Sequence, residues 1–364
     1  MVFADYKQRV ENGDLAVAWI GRNKLIPLHI EAEKTFHNQY GAFPHSEMIG
    51  KRYGEQIAST AKQGFIYLLQ PTPELWTLAL PHRTQIVYTP DIALIHQKLR
   101  ITYGTRVIEA GTGSASMSHA ISRTVGPLGR LFTFEYHATR YQTALQEFRE
   151  HEMLIDVGGN THLTHRDVCK DGFLDTEVKV DAIFLDLPAP WEAIPHLSNH
   201  VNHDKSTRIC CFSPCIEQIQ HSAEALRELG WCDIEMIEVD YKQWAARKSR
   251  IVHIDEAIDR LKEVKRRRIE GFERRKMRRE QNLSSDAKVE DQDNDSMLGE
   301  NKSSVSTETA LKPVTNKRIR EGDGNYEWTD VARVDSNLKS HTSYLLFAVH
   351  LPSQLDKQNQ ETGP

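Results

Sequence analysis

Two short stretches hold residues whose types and spacing can do chemistry. The first is Val107-Ile108-Glu109-Ala110-Gly111-Thr112-Gly113-Ser114-Ala115-Ser116. An apolar run feeds two glycines one residue apart, then a segment with helical period. Glycine permits the tight turn and lets a ligand approach the backbone. The helix start offers unpaired N–H groups. Such a loop holds the polar part of a nucleotide-like ligand at the carboxyl edge of a sheet. Ser116 stands where a dinucleotide fingerprint has its third glycine, which argues against a nicotinamide cofactor, and no Gly-Lys-Ser/Thr ending marks a P-loop. Three acids are spaced around the loop. Glu109 precedes the first glycine. Glu135 ends the next apolar run, about twenty residues on, placed to accept from ribose hydroxyls. Asp167 follows the run after that, placed to meet an adenine amine. A sulfonium cation tolerates such acids and needs no phosphate-binding groups, so the spacing suits S-adenosylmethionine (SAM). The alternative is that Glu109 and Glu135 are solvated strand-end charges around a structural turn.

The second stretch is Asp181-Ala182-Ile183-Phe184-Leu185-Asp186-Leu187-Pro188-Ala189-Pro190-Trp191. A strand ending in Asp186 beside the first one lines the same crevice. A carboxylate there can orient an acceptor amino group and stabilise positive charge that develops on it. Pro188, Pro190 and Trp191 would wall a flat base. Alternatively, Asp186 caps the next turn and Trp191 is only packed. Further on, Ser213 or Glu217 can cap the helix that begins near Pro214. Cys210, Cys211 and Cys215 lack zinc spacing and a completing His, so buried structural thiols are expected and no metal. Gln85, Tyr88 and Thr89 precede a helix over Asp91–Leu99. They either close the cofactor site or serve as a Thr89-Pro90 helix start.

These residues need elements to position them. From residue 73 on, strands at Val107–Glu109, Leu131–Glu135, Thr161–Thr164, Ala182–Leu185, Ile209–Phe212, Ile234–Val239 and Tyr344–Val349 alternate with helices at Ser116–Val125, Thr139–Glu150 and Ile216–Leu229. That alternation predicts an α/β fold with a mainly parallel sheet covered on both faces. Before it, residues 1–72 read as a small β-rich domain: a hairpin over Asp14–Ile30 around Gly21-Arg22-Asn23, then strands at Glu47–Ile49 and Phe65–Leu69. The α/β domain is expected over 73–254 and 326–352. Residues 255–325 read as a charged insertion, basic and helix-compatible at 262–279, and too polar over 281–325 to offset ordering entropy. Residues 353–364 read as a flexible tail.

Composition bounds the rest. The chain has 364 residues, 39% hydrophobic and 27% charged, with formal net charge −5. It is not a polycation, so any nucleic-acid surface is local. Five cysteines favour reduced thiols in an intracellular protein. No apolar run approaches the ~18–20 residues of a membrane span, and the N-terminus lacks a signal-like apolar stretch.

The strings ELWTLALPHRTQIVYTPDIAL (74–94), EAGTGSASMSHAI (109–121), FLDLPAPWEA (184–193) and CFSPCIEQ (211–218) resemble the catalytic subunit family of the eukaryotic tRNA (adenine(58)-N(1))-methyltransferase, across nearly the whole chain apart from the insertion. The resemblance implies a Rossmann-like class I SAM-dependent methyltransferase domain with a seven-stranded sheet. It implies methyl transfer to N1 of a tRNA T-loop adenosine. It also implies a nuclear heterotetramer of two catalytic and two noncatalytic RNA-binding subunits. By motif, Val87, Gly111, Gly113, Ser114, Ala115, Ser116, Glu135, Arg140, Asp167 and Val168 match SAM-binding positions, and Asp186 matches the catalytic aspartate. Ala115 departs from the glycine common at its position. Segments matching RNA-facing regions contain Gly21, Arg22, Gln85, Tyr88, Thr89, Pro188 and Ser213, and Trp191 joins them as a candidate RNA contact from the wall it would give a flat base. Two other classes compete: a noncatalytic RNA-binding scaffold, disfavoured by the intact Gly111/Gly113 loop with Asp186, and an NAD-dependent oxidoreductase, disfavoured by Ser116 and Glu109. The stretch 262–279 suits phosphate attraction, a nuclear-import signal at 265–268, or a solvated helix.

Overall fold

The computed structural model describes residues 2–21, 24–80, 85–173, 178–286, 319, 321–334 and 343–352. These form two compact units, divided after Lys242 and again before the last described stretch. In the first unit a four-stranded antiparallel sheet has the order Lys24–His29, Leu15–Gly21, Phe65–Leu69, Gln56–Ala58. Ala16, Ala18, Ile20, Ile66 and Leu68 face its core, with Phe43 and Met48 beside them. The strand expected at Glu47–Ile49 is instead a helical turn, His45–Met48. His45 and Met48 bury together, an i,i+3 spacing that a strand cannot put on one side.

The larger sheet has seven strands: β1 Arg106–Ala110, β2 Arg130–Glu135, β3 Thr161–His165, β4 Ala182–Leu185, β5 Thr207–Ser213, β6 Cys232–Glu238 and β7 Tyr344–His350. Their order is β6-β7-β5-β4-β1-β2-β3. The pairings from β5 to β3 are parallel, and β7 runs antiparallel between β5 and β6. Four helices matter most here: α1 Thr89–Leu99, α2 Ser116–Val125, α3 Ala138–Glu150 and α4 Ile216–Glu228. Alternate strand residues serve opposite faces. Val107, Ala182, Phe184, Cys210 and Phe212 pack under α1 and α2. Ile108, Ala110, Ile183, Leu185 and Cys211 pack under α4. Burial on both faces is why these strands are continuously apolar.

The ends of the helices differ from expectation in small ways. α1 starts at Thr89, so Tyr88 and not Thr89 is its N-cap. The N-cap of α4 is Cys215, whose N–H donates to Gln218 Oε1 (3.2 Å), rather than Ser213 or Glu217. Cys215 is therefore exposed, unlike buried Cys210 and Cys211, and all five cysteines are free thiols.

The second unit places Trp244–Arg250 antiparallel to Trp328–Val334, with helix α5 over Ile254–Asp286. The expected boundaries at 254/255 and 325/326 shift accordingly. These two strands satisfy each other's backbone and do not join the large sheet. The helix α5 continues past 281, where disorder was expected. Pairs such as Glu263 with Arg266 and Arg267, and Glu270 with Arg266 and Arg274, lace its turns. Residues 287–318 and the tail 353–364 lie outside the described residues.

One buried side chain ties the C-terminal end of α2 to the strand beside it. Buried Asn160 donates from Nδ2 to the Ser122 and Gly126 carbonyls at the end of α2 (2.8 and 2.9 Å), while its Oδ1 accepts from Ser122 Oγ and Thr161 Oγ1 (2.7 and 3.1 Å). Asn160→Ala leaves several buried groups without partners. It should lower unfolding free energy by about 3 kcal/mol, read from denaturant titration.

Candidate active site

The carboxyl ends of β1 and β4, neighbours at the centre of the sheet, bring the two chemical stretches together. β1 runs into Gly111 (φ +91°), Gly113 (φ +52°) and Ala115 (φ +62°) before α2 begins at Ser116. The left-handed backbone at Ala115 costs about 1 kcal/mol that glycine would avoid. A Cβ on Gly111 would collide with the Asp186 carbonyl oxygen. The two loops are in backbone contact there, and Asp186 N–H donates to the Ala110 carbonyl (2.9 Å).

Glu135 ends β2 and is almost fully buried. Its Oε2 accepts from Gly113 N–H (3.0 Å). Its Oε1 accepts from His137 N–H (2.8 Å) and from Nε and Nη2 of Arg140 (3.1 and 2.9 Å). This carboxylate therefore organises the glycine loop and keeps acceptor capacity on Oε2. Asp167 caps the short helix Val168–Asp171 through Cys169 N–H (3.2 Å) and pairs with Lys170 (3.1 Å).

These groups line one cleft of about 330 Å³ with Phe134, Val168 and Leu187 as apolar wall and Glu135, Arg140, Asp167 and Asp186 as polar groups. The size and mixed lining suit a small polar–apolar ligand. The acids fit a cation, and the missing Cβ of Gly111 keeps the loop against Asp186. These residues thus fit the SAM expected from the sequence. Tyr136, Arg166 and Glu192 also line it, although the sequence reading did not single them out. Tyr136 was findable as the residue after the strand-ending acid; Arg166 and Glu192 carry no such local mark.

Other expected residues lie nearby or elsewhere. The Val87 carbonyl accepts from Ser116 Oγ (2.8 Å), which also bonds Thr77 Oγ1 (2.6 Å), so segment 85–88 is tied to the start of α2. Ser114 is buried in the loop, and Tyr88, just before α1, is buried in a separate apolar cluster with Trp76 and Ile86. Gln85 is exposed, and Thr89 begins α1. Pro188 borders the cleft, its carbonyl held by Gln218 Nε2 (2.8 Å). Trp191 does not line the cleft. The helical turn Pro190–Ala193 points its ring at His221 on α4, 5.1 Å between centroids, which favours the packing alternative. Ser213 is fully buried at the end of β5, its hydroxyl without a partner. Gly21 pairs with Lys24 at a hairpin end, and Arg22 lies outside the described residues. Asp186 caps no helix; the following turn is capped by Ala189.

Electrostatics separates the acids. Glu109 is not a solvated charge. It is buried, accepts from Ser118 Oγ (2.6 Å) on α2, and burial pushes it up to about 7. Asp186 is also pushed up to about 7, first by desolvation, then by the Glu135 charge, with Arg140 pulling the other way. Among the described residues no cluster of His, Cys, Asp and Glu side chains could hold a metal ion. No described helix is long and apolar enough to cross a membrane.

A family model of the tRNA methyltransferase complex GCD14 subunit matches residues 64–350. The chain belongs to this family. The tRNA (adenine(58)-N(1))-methyltransferase catalytic subunit of Kluyveromyces lactis is 46% identical over 95% of this chain and 88% of its own. The Candida albicans subunit of the same name is 45% identical over 97% and 100%. Two solved structures share the fold: a SAM-dependent O-methyltransferase of Thermotoga maritima (TM-score 0.62, 20% identity, 95% and 96% of the chains) and a tRNA (m1A58) methyltransferase of Aquifex aeolicus (TM-score 0.57, 19% identity, 95% and 100%). The fold of this GCD14-family chain is therefore that of the SAM-dependent methyltransferases.

Two outcomes follow from the site. Gly111→Ala forces the two loops apart and should abolish SAM binding by calorimetry and lower the melting temperature. Folded Glu109 and Asp186 keep protons that unfolded carboxyls release near pH 4, so their own contribution to native stability, read as the difference from Glu109→Gln and Asp186→Asn, should fall as pH rises from about 4 through 7, opposite in sign to that of the buried His119 and His151. A cation bound beside Asp186 reverses that shift. SAM affinity should rise between about pH 6 and 8 with proton release, measured by calorimetry in buffers of different ionisation enthalpy.

Proposed function

We propose that this chain is the catalytic subunit that transfers the methyl group of SAM to N1 of adenosine 58 in the tRNA T loop. The observation that carries the reading is Asp186 at the end of β4, in backbone contact with the glycine loop, within a family whose named members are catalytic subunits of this enzyme. When bound, SAM supplies an electrophilic methyl on a sulfonium. Adenine N1 already carries an in-plane lone pair, so no base is required to make a nucleophile. Transfer would form the N1–CH₃ bond as the S–CH₃ bond breaks, with the sulfur keeping the electron pair as S-adenosylhomocysteine. The adenine ring gains the positive charge. Asp186 is suited to accept from the N6 amino group, aligning N1 with the methyl carbon and stabilising that charge. Glu135 is suited to hold the ribose hydroxyls, with Arg140 and Gly113 N–H fixing its orientation. Asp167 is suited to the adenine amine of the donor. No residue of the site is assigned to a metal.

The T-loop adenosine must leave its stack to reach the cleft, at a few kcal/mol. We infer that a noncatalytic RNA-binding sister subunit supplies part of that binding. The working form is then a nuclear heterotetramer of two catalytic and two noncatalytic chains. Family membership in a methyltransferase complex and the words "catalytic subunit" in the relatives' names support a partner. The basic run on α5 supports sequence-independent attraction to phosphates, and its Lys265–Arg268 portion equally suits nuclear import.

Labelled-methyl transfer to tRNA, with and without the sister subunit and with mapping of the modified base, tests the reading. Asp186→Ala should lower turnover at least 100-fold while SAM affinity falls far less. Near wild-type methylation by Asp186→Ala would refute the mechanism, and label on another base would refute the substrate.

A further inference from the structure

The glycine loop closes on a residue that is not glycine. Ala115 adopts φ +62°, ψ +15°, a region that side chains disfavour. Its carbonyl oxygen accepts twice from one residue of α2: from His119 N–H (3.1 Å) and from His119 Nδ1 (2.6 Å). A carbonyl only accepts, so Nδ1 carries the hydrogen. In a neutral ring Nε2 is then an acceptor. It lies 2.9 Å from His151 Nδ1, which must therefore donate. One backbone oxygen thus sets the tautomer of two buried imidazoles. Burial keeps both rings neutral, with His119 pushed down to about 4 and His151 to about 2.

The pair is itself clamped. The Phe3 ring meets both imidazoles edge-on, at 4.8 and 5.0 Å between centroids, and Trp76, itself 5.8 Å from Phe3, packs on both at 5.5 and 4.7 Å. Val2 N–H donates to the His151 carbonyl (3.3 Å). The first residues of the chain, the residue after α3 and the first turn of α2 therefore meet behind the loop. The Ala115 carbonyl shares a rigid peptide plane with Ser116 N–H, which points the opposite way at the start of α2, where first-turn N–H groups have no partner within the helix.

We propose that His119, oriented by His151, is a positioning residue for SAM: it locks the Ala115–Ser116 peptide so that the amide side of the loop is presented to the ligand. This rests on the SAM reading above, and it adds a residue pair behind the loop to the groups that line the cleft. The role follows from Ala115. Glycine would take this conformation freely, whereas alanine must be held there.

The test uses the full chain with its sister subunit, SAM affinity by calorimetry, melting temperature, and steady-state kinetics. His119→Ala should raise the SAM Kd and KM about tenfold, the worth of one lost hydrogen bond, while kcat at saturating SAM and tRNA stays within about twofold. His119→Asn places an N–H where Nδ1–H was and should recover most of that affinity. Ala115→Gly added to His119→Ala should also recover it, because the strain that His119 restrains is gone. Unchanged SAM affinity in His119→Ala overturns the inference. So does a loss that neither rescue repairs, which would mark plain core packing. Should His119→Ala fail to fold, His119→Asn decides alone: affinity within about threefold of wild type supports the role, and a tenfold loss overturns it. A wild-type chain that binds no SAM overturns the functional reading and this inference together.

Discussion

Everything at the site hangs on one close approach. The loop after β1 and the loop after β4 touch backbone to backbone, with the Asp186 carbonyl where a Gly111 side chain would be. Parallel pairing of β1 with β4 delivers both chain ends to the same edge, in the register Ala110 opposite Leu185. Only a residue without Cβ allows the last step. Because of it, the glycine turn and the Asp186 carboxylate line one cleft and are not two separate loop tips.

The charge pattern depends on that contact. Drawing the strand ends together crowds Glu109, Glu135 and Asp186 in a poorly solvated crevice. Glu135 is compensated by Arg140 and by two backbone N–H groups. Asp186 has much less support, so its charge is held at a disadvantage. A site built this way favours a cation over water as its occupant, and a cation-donating reaction matches that bias.

Much of this was legible in the sequence, for identifiable reasons. The strands of the large sheet are buried on both faces and so read as apolar runs, and Ser116–Val125 follows the glycine loop and ends at Gly126 where the sequence says. Glu135 and Asp186 were visible as acids ending such runs. The rest depends on information that is not local. Trp244–Arg250 and Trp328–Val334 are polar and mostly exposed, so neither shows a strand pattern, and each is a strand only because the other exists. The direction of Trp191 follows from the phase of a four-residue helix. The His119–His151 contact joins positions 32 residues apart with no periodic trace. His45–Met48 shows how a two-residue burial pair overrides a short run, Glu47-Met48-Ile49, that reads as strand.

The place of β7 carries a consequence for biogenesis. It lies between β5 and β6, yet about a hundred residues separate it from β6 in the chain. While a ribosome is still making those residues, β5 and β6 have both emerged with their facing edges unzipped. Such edges invite pairing with foreign strands. Loop closure over that length costs little more than over half of it, so the delay is one of time and exposure and not of equilibrium. The nascent chain therefore passes through a stage in which the parallel half of the sheet can mature early, while the far edge must be shielded until its central strand is threaded home.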